Sequence, residues 1–266
     1  MLQQKAQVLW NYKICDSYYK LGLQCSDNYE SSHPGQFIML GIDEIRTNLF
    51  RRPFSIHRLI KRNGLFKGIE LLYKVVGKTT SILSTYDKSN KVDILGPLGK
   101  GFKIKQNCKH FFFVAGGVGV APLLYLVLSL QEHDFDLSSS VVFLGGKSKN
   151  DLLCIDDFLN MGMSVQITTD NGSKGQKGLI TDLLKKSLID KCPDVIYTCG
   201  PYPMIKAVVN IAEKHKVACQ VSIETIMACG MGVCLGCAVE KKKYSDKYLH
   251  VCIDGPVFES DILNLS

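Results

Sequence analysis

Four cysteines near the end of this 266-residue chain have a spacing that can bind a metal cluster. Cys229, Cys234 and Cys237 share one glycine-containing stretch, and Cys252 follows fourteen intervening residues later. The pattern C-x4-C-x2-C with one distant cysteine is typical of a [2Fe–2S] site, because three thiolates on a tight loop can wrap the cluster. The alternative is a structural zinc site, although such sites usually combine two C-x2-C pairs and this sequence has one.

A glycine-rich turn is the second chemical signal, with Gly116, Gly117 and Gly119 followed by Pro122. It lies between an apolar run that predicts a buried strand and a run that predicts a helix. This context suits a nucleotide phosphate, since a helix N-terminus favours negative charge and tolerates proline. Proline replaces the third glycine of G-x-G-x-x-G, so a turn of purely structural use is the alternative.

Two adjacent arginines, Arg51 and Arg52, form the third signal. They precede an extended segment that runs to Ile56, and their guanidinium groups could hold a pyrophosphate bidentately. The alternative is an exposed basic turn.

The elements that position these residues fall into two kinds. Short apolar runs separated by turn residues predict strands of a small antiparallel barrel at 7–14, 36–42, 69–76 and 91–95. Alternating strands and helices then predict a parallel sheet covered on both faces. The strands of this half are expected at 110–115, 140–144, 165–169 and 194–198, and the helices at 122–131, 181–187 and 203–214, with Thr181 as an N-cap.

The predicted fold class is therefore β plus α/β in three parts. An antiparallel β-barrel is expected at 1–105, a Rossmann-like parallel α/β domain at 106–225 and a small cluster subdomain at 226–266. The seven cysteines outside the cluster motif are expected to be small buried residues and not disulfides.

Composition excludes some classes of function. The net charge of +7 comes from scattered lysines, without the clustered arginines and aromatics expected of a nucleic-acid surface. Residues 111–131 carry no charge and are long enough to span a bilayer, but the glycine turn interrupts them, so a buried strand and helix are expected instead. The N-terminus lacks the apolar stretch of a signal peptide. We therefore expect a cytoplasmic protein that binds neither nucleic acid nor membrane.

Taken together, the motifs resemble the ferredoxin–NADP reductase superfamily. Residues 52–55 are similar to its flavin-binding R-x-x-S strand, and 117–122 to its G-x-G-x-x-P turn. Residues 199–204 are similar to its C-G-P-x-x-M motif near the nicotinamide. The resemblance is closer to one branch, the electron-transfer subunits of NAD-dependent (type B) dihydroorotate dehydrogenase, which share the patterns at 169–178, 224–229 and 252–258.

This resemblance implies the site residues. FAD contacts would come from Arg52, Pro53, Phe54, Ser55, Leu72, Tyr73, Lys74, Thr79 and Thr80. NAD(H) contacts would come from Gly116, Gly117, Gly119, Pro122, Gly200, Pro201 and Met204, with Cys199 close to the nicotinamide as the candidate catalytic side chain. The cluster ligands would be Cys229, Cys234, Cys237 and Cys252. Thr79 stands where the family usually has glycine, and a β-branched residue adopts positive φ with difficulty.

The resemblance also implies a function. Electrons would pass between NAD(H), FAD and a [2Fe–2S] cluster, to or from the FMN of a separate catalytic subunit that oxidises dihydroorotate to orotate with NAD+ as acceptor. A heterotetramer with two copies of each subunit is expected, and this chain alone should not oxidise dihydroorotate. One alternative is a subunit of an NADPH-dependent ferredoxin oxidoreductase or sulfide dehydrogenase, with Lys147 and Lys149 near a 2′-phosphate. The other is a zinc-stapled nucleotide-binding module without redox activity.

Overall fold

The computed structural model describes residues 1–42, 50–242 and 244–265, without the side chains of 244–246. Its first half contains the strands β1 (Leu2–Cys15), β2 (Tyr18–Gln24), β3 (Phe37–Gly41), β4 (Arg52–Arg62), β5 (Leu65–Lys74) and β6 (Lys91–Leu98), with α1 (Lys78–Leu83) after β5. Within these ranges the six strands close an antiparallel barrel in the order β1-β2-β5-β4-β3-β6. The predicted barrel is confirmed, although the sequence patterns missed β2 and indicated β4 only as an extended segment.

The second half is a mainly parallel sheet. Its strands are β7 (Phe111–Gly116), β8 (Val141–Gly146), β9 (Ser164–Thr169), β10 (Gln176–Lys177), β11 (Val195–Cys199), β12 (Ala218–Ser222) and, later in the chain, β15 (Val257–Glu259). They are ordered β10-β9-β8-β7-β11-β12-β15, and β15 pairs antiparallel to β12. A separate hairpin pairs β13 (Ala238–Lys241) with β14 (Tyr244–His250). The predicted parallel α/β half is confirmed.

The helices of this half are α2 (Val120–Glu132), α3 (Ile155–Asn160), α4 (Ile180–Asp190) and α5 (Tyr202–His215). Helix α2 packs against β7 and β11 on one side and against β4 of the barrel on the other. Every residue of β7 is buried as well. The uncharged stretch at 111–131 is therefore apolar because most of it is buried within the protein. Among the described residues, no helix combines the length and apolar character needed to cross a membrane.

Two local predictions are wrong. The N-cap of α4 is Leu179, and Thr181 lies inside the helix and is buried, so its hydroxyl does not cap the first turn. Cys192 is exposed, in contrast to the predicted burial of the scattered cysteines, because it follows the end of α4 at the surface. Cys25, Cys108, Cys199 and Cys219 are buried as predicted, whereas Cys15 and Cys154 are only partly buried.

Candidate functional site

The nine residues expected to contact FAD lie in the wall of one cavity of about 490 Å³, called the first cavity here. Residues 52–55 enter it from the start of β4, 72–74 from the end of β5, and 79–80 from α1. Antiparallel strands β4 and β5 are neighbours, which brings the first two groups together. Tyr73 is held in the wall by a hydrogen bond from its hydroxyl to Asn11 Oδ1 (3.1 Å) and by an edge contact with Phe54.

Only one of the two adjacent arginines faces this cavity. Arg52 is in its wall, whereas Arg51 Nε donates to Asp93 Oδ2 on β6 at 2.7 Å. Successive side chains of an extended segment point to opposite sides, so neighbouring arginines diverge. The hypothesis that both hold one pyrophosphate is wrong for Arg51.

The threonines of α1 behave differently from the sequence-based expectation. Thr79 lies in the first turn of a right-handed helix and does not need positive φ, so the β-branched side chain creates no backbone strain there. The Thr80 hydroxyl accepts the backbone N–H groups of Val76 and Gly77 and donates to the Gly77 carbonyl. The hydroxyl of Thr80 thus stabilises the helix start, and Thr79 lines the cavity beside it.

A second cavity of about 680 Å³ lies against the glycine turn. Six of the residues expected to contact NAD(H) line it, namely Gly116, Gly117, Gly119, Gly200, Pro201 and Met204. They meet because β7 and β11 are parallel neighbours, with Ala115 in register with Cys199. The carboxyl ends of adjacent parallel strands form the crevice in which open α/β sheets bind their ligands.

Glycine is required where these two strand ends touch. A Cβ at Gly119 would lie 2.3 Å from the carbonyl oxygen of Cys199, and one at Gly116 would lie 2.6 Å from Pro201 Cδ. Gly117 also has φ +54°, which L-residues adopt at a cost. Close packing of the two strand ends therefore explains these glycines, without the need for a nucleotide phosphate to approach the backbone.

Two of the expected NAD(H) residues lie behind this wall. Pro122 is buried in α2 and Cys199 is buried at the end of β11, and neither lines either of these two cavities. Burial, with the Glu224 charge nearby, raises the pKa of the Cys199 thiol, so the thiol is protonated near neutral pH. The roles assigned to these two residues stay predictions.

The two cavities are contiguous. Lys74, Val118, Ile223 and Glu224 line both of them. The Glu224 side chain reaches solvent through the cavities, and the surrounding protein still raises the pKa of its carboxyl by desolvation. Ligands bound in the two cavities would therefore be neighbours along this shared wall.

The cysteine loop, residues 229–237, follows the residues of this shared wall in the chain. Met227 lines the first cavity and precedes Cys229 by two residues, and Gly230 packs on Met39 of β3. Left-handed backbone at Gly230 and Gly232 turns the loop, with φ values of +72° and +81°. The barrel, the nucleotide half and the cysteine loop therefore meet around the first cavity.

The sulfur atoms of the loop receive backbone N–H groups. Met231 N and Cys234 N each lie 3.4 Å from Cys229 Sγ, and Gly232 N lies 3.1 Å from Cys252 Sγ. Burial acts to raise the pKa of the Cys229 thiol, but hydrogen bonds from the backbone of Met231 and Cys234, from the Cys234 thiol and from the backbone of Val233 outweigh it and lower that pKa to about 6. Stabilised thiolates and N–H groups directed at sulfur are what a cluster site requires.

The other two thiols form a buried pair. The sulfur atoms of Cys237 and Cys252 are 3.3 Å apart, and burial with the proximity of Cys237 raises the pKa of Cys252 to about 12. Among the described residues, no three Cys, His, Asp or Glu side chains already converge on a single point. The fit to a cluster rests on the four-thiol donor set and the surrounding N–H groups.

Sequence reasoning missed several residues of the two walls. Tyr18 and Asp151 line the second cavity, and Ser222, Thr225 and Pro256 line the first. For Ser222 and Thr225 the available signal was position, because 222–227 link strand β12 to the cysteine loop.

The barrel, the parallel sheet with its glycine turn, and the cysteine loop define an oxidoreductase of the electron-transfer class. A family model described as the oxidoreductase NAD-binding domain matches residues 113–210. A second, described as the iron–sulfur cluster binding domain of dihydroorotate dehydrogenase B, matches 224–264 and favours iron–sulfur over zinc at the cysteines.

The chain belongs to the family of dihydroorotate dehydrogenase B (NAD(+)) electron transfer subunits. The relative from Desulforamulus reducens is 35% identical over 256 residues, covering 96% of this chain and 95% of that protein. The relative from Caldanaerobacter subterraneus is 37% identical over 259 residues, with 96% of each chain covered. Both carry the electron transfer subunit name.

Solved structures agree on the fold. A chain in the structure of an NADH-dependent reduced ferredoxin–NADP oxidoreductase superposes with a TM-score of 0.84 at 27% identity, covering 98% of this chain and 90% of that one. A ferredoxin–NADP+ reductase from Neisseria gonorrhoeae superposes with a TM-score of 0.67 at 15% identity, covering 80% of this chain and 91% of that one, which shows a shared fold. The resemblance to the ferredoxin–NADP reductase superfamily is thereby confirmed.

Proposed function

We propose that this chain exchanges electrons between NAD(H), FAD and one [2Fe–2S] cluster, and passes them to or from the FMN of a catalytic dihydroorotate dehydrogenase subunit. The observation that carries this proposal is contiguity, because the first cavity shares a wall with the second and reaches the cysteine loop through Met227. When bound, FAD supplies the conversion between two-electron hydride exchange with NAD(H) and one-electron exchange with the cluster.

The protein contributes binding and orientation. In the first cavity Arg52 supplies a cation for the FAD phosphates, and the buried ring of Tyr73 supports the cofactor. In the second cavity the turn at Gly116–Gly119 presents backbone to the NAD(H) phosphates at the start of α2. Cys229, Cys234, Cys237 and Cys252 would ligate the cluster. We propose that the chain divides into domains at 1–105, 106–225 and 226–266.

The catalytic subunit would dock on the surface around the cysteine loop. Five large apolar side chains on and beside this loop are exposed, namely Ile226, Met231, Val233, Leu235 and Ile253. Exposed fractions of 89% for Ile226 and 75% for Val233 are high for apolar side chains, and contiguous apolar patches mark interaction surfaces. One-electron transfer also needs the two redox centres to be close, which favours this face.

We extend the proposal to a heterotetramer of two copies of each subunit, located in the cytoplasm. The cysteines of the described residues are all unpaired, which suits a reducing compartment. Co-purification followed by a mass measurement of the complex tests this assembly. Val233→Asp should abolish co-purification while leaving the flavin and cluster absorbance of this chain intact.

An anaerobic absorbance spectrum tests the main proposal. The chain, co-expressed with a candidate catalytic subunit and reconstituted with iron, sulfide and FAD, should show flavin and [2Fe–2S] bands that bleach on addition of NADH. The chain by itself should not oxidise dihydroorotate. A colourless protein that contains stoichiometric zinc would contradict the proposal and support the zinc-stapled nucleotide-binding module.

A second candidate is a subunit of an NADPH-dependent ferredoxin oxidoreductase or sulfide dehydrogenase. It is favoured by the similarity to the ferredoxin–NADP oxidoreductase structure, and by Lys147 in the wall of the second cavity, where a 2′-phosphate could meet it. Lys149 lies nearby in sequence and bonds Ser173 through its backbone N–H. Bands that bleach with NADPH and not with NADH would support this candidate.

A further inference from the structure

A buried histidine of the barrel contacts two separate elements of the nucleotide-binding half. His57 lies in β4, two residues after Ser55 of the first cavity, and its side chain is 0% exposed. Its Nδ1 atom is 3.2 Å from the carbonyl oxygen of Ala121, in the first turn of α2. Its Nε2 atom is 4.0 Å from Sγ of Cys154, the residue that precedes α3.

The partners determine which nitrogen carries the proton. The carbonyl of Ala121 can only accept, so Nδ1 is the donor. Burial, together with the charges of Lys20 and Arg58, lowers the pKa of His57 to about 3, so the ring is neutral at physiological pH. Nε2 then offers its lone pair toward the Cys154 thiol, whose pKa burial raises to about 12.

Charged side chains surround the imidazole of His57 and form further contacts between the barrel and the nucleotide-binding half. Glu70, also buried, accepts from Arg58 Nε at 2.7 Å and from Trp10 Nε1 at 2.9 Å. Across the boundary, Lys20 Nζ and Arg58 Nη1 lie 3.7 and 3.9 Å from the carboxylate of Asp157 in α3. Because Arg58 compensates the Glu70 charge, the ring remains neutral with a carboxylate 4.0 Å from Nε2.

The His57 side chain lies between β4, which lines the first cavity, and α2, which begins beside the second. β4 carries Arg52–Ser55 into the first cavity, and α2 begins directly after the glycine turn of the second. Ala121 itself lines the first cavity. A displacement of reacting groups by about 1 Å can lower a rate about 100-fold, so the spacing between these elements matters for hydride exchange.

We propose that His57 is a positioning residue, which holds the start of α2 against β4 and so fixes the nicotinamide in the second cavity relative to the flavin in the first. The inference rests on the proposed hydride exchange between those cavities. The hydrogen bond from Nδ1 to the carbonyl of Ala121 holds α2 in position, and the contact between Nε2 and Cys154 is secondary.

Two near-isosteric variants separate the two nitrogens. In His57→Asn the amide nitrogen can occupy the place of Nδ1 and keep the bond to Ala121 O, whereas in His57→Gln the longer side chain reaches the place of Nε2. Stopped-flow measurement of FAD reduction by NADH should give a limiting rate near wild type for His57→Asn. His57→Gln should lower the limiting rate by about 10- to 100-fold, with the NADH concentration at half-maximal rate unchanged.

A readout without turnover accompanies the kinetics. Hydrogen–deuterium exchange of the segment 117–125 should be faster than wild type in His57→Gln and should match wild type in His57→Asn. Tyr125→Phe is the matched control, because it removes a different hydrogen bond between α2 and the first half of the chain, from the Tyr125 hydroxyl to Ser32 O. The control should lower the melting temperature and leave the limiting rate unchanged.

The inference is overturned if His57→Gln reduces FAD at the wild-type rate. It is also overturned if both His57 variants slow the reaction equally, in proportion to their loss of melting temperature. A wild-type protein that binds no FAD, or is not reduced by NADH, would instead remove the proposed function. In that case equal exchange of 117–125 in the two variants would still overturn the contact with Ala121.

Discussion

Gly230 joins the cysteine loop to the barrel, and Gly230→Ala should weaken both the fold and the cluster site. Gly230 follows Cys229 directly, has φ +72°, and lies against Met39 so closely that an added Cβ would be 2.4 Å from Met39 Cγ. The left-handed backbone costs about 1–2 kcal/mol for alanine. Because Met39 is fully buried, moving it adds about 1–3 kcal/mol of overpacking.

The free energy of unfolding of Gly230→Ala should therefore fall by about 2–5 kcal/mol in urea titrations of the cluster-free protein. Gly162→Ala is the matched control, since Gly162 has φ +75° with no atom within 4 Å of an added Cβ. That variant carries the backbone cost alone and should lose about 1–2 kcal/mol.

Cluster retention provides the second readout for this pair. When iron chelator is added anaerobically, the [2Fe–2S] absorbance of Gly230→Ala should decay faster than that of wild type, because the shift of Gly230 displaces Cys229. Gly162→Ala should retain its cluster as wild type does. Equal unfolding free energies and equal decay in the two variants would refute the argument that the loop is held by this contact.

Two further predictions concern the cluster and the boundary between the halves. Cys252→Ser should lower bound iron and [2Fe–2S] absorbance severely, while its FAD content should stay the same because Cys252 lines neither cavity. Cys192→Ser, at an exposed cysteine, is the control. Full iron content in Cys252→Ser would contradict the role of Cys252 as a ligand. Burial acts to raise the pKa of Asp151, but hydrogen bonds from Tyr18 and Lys74 outweigh it and lower that pKa. The contribution of Asp151 to stability is therefore present above the ordinary aspartate pKa and is lost as the pH falls through the lowered value. Asp151→Asn should therefore cost about 1.5–3 kcal/mol in urea unfolding at pH 7 and nothing at a pH below both values, and a cost independent of pH would contradict this account.

Much of the fold could be predicted because its signals are local. The apolar run of β7 and α2, followed at intervals by three more strands, indicated buried parallel strands with covering helices, and these elements formed near the expected residues. The missed strand β2 and the misplaced cap at Thr181 show the limit of such patterns. Whether a residue caps a helix or lies inside it depends on the surrounding tertiary structure, and Thr181 is buried in the first turn of α4.

The sequence by itself identified the four cysteines as candidate cluster ligands and located the glycine turn. Three thiols on one short loop and glycines between a strand and a helix act over a few residues, so spacing alone is informative. Only the tertiary structure decided which arginine faces the first cavity, where Glu224 joins the two cavities, and that His57 bridges the two halves. These features depend on strands and helices that are far apart in the chain, and their alignment follows from barrel closure and sheet order rather than from any local pattern.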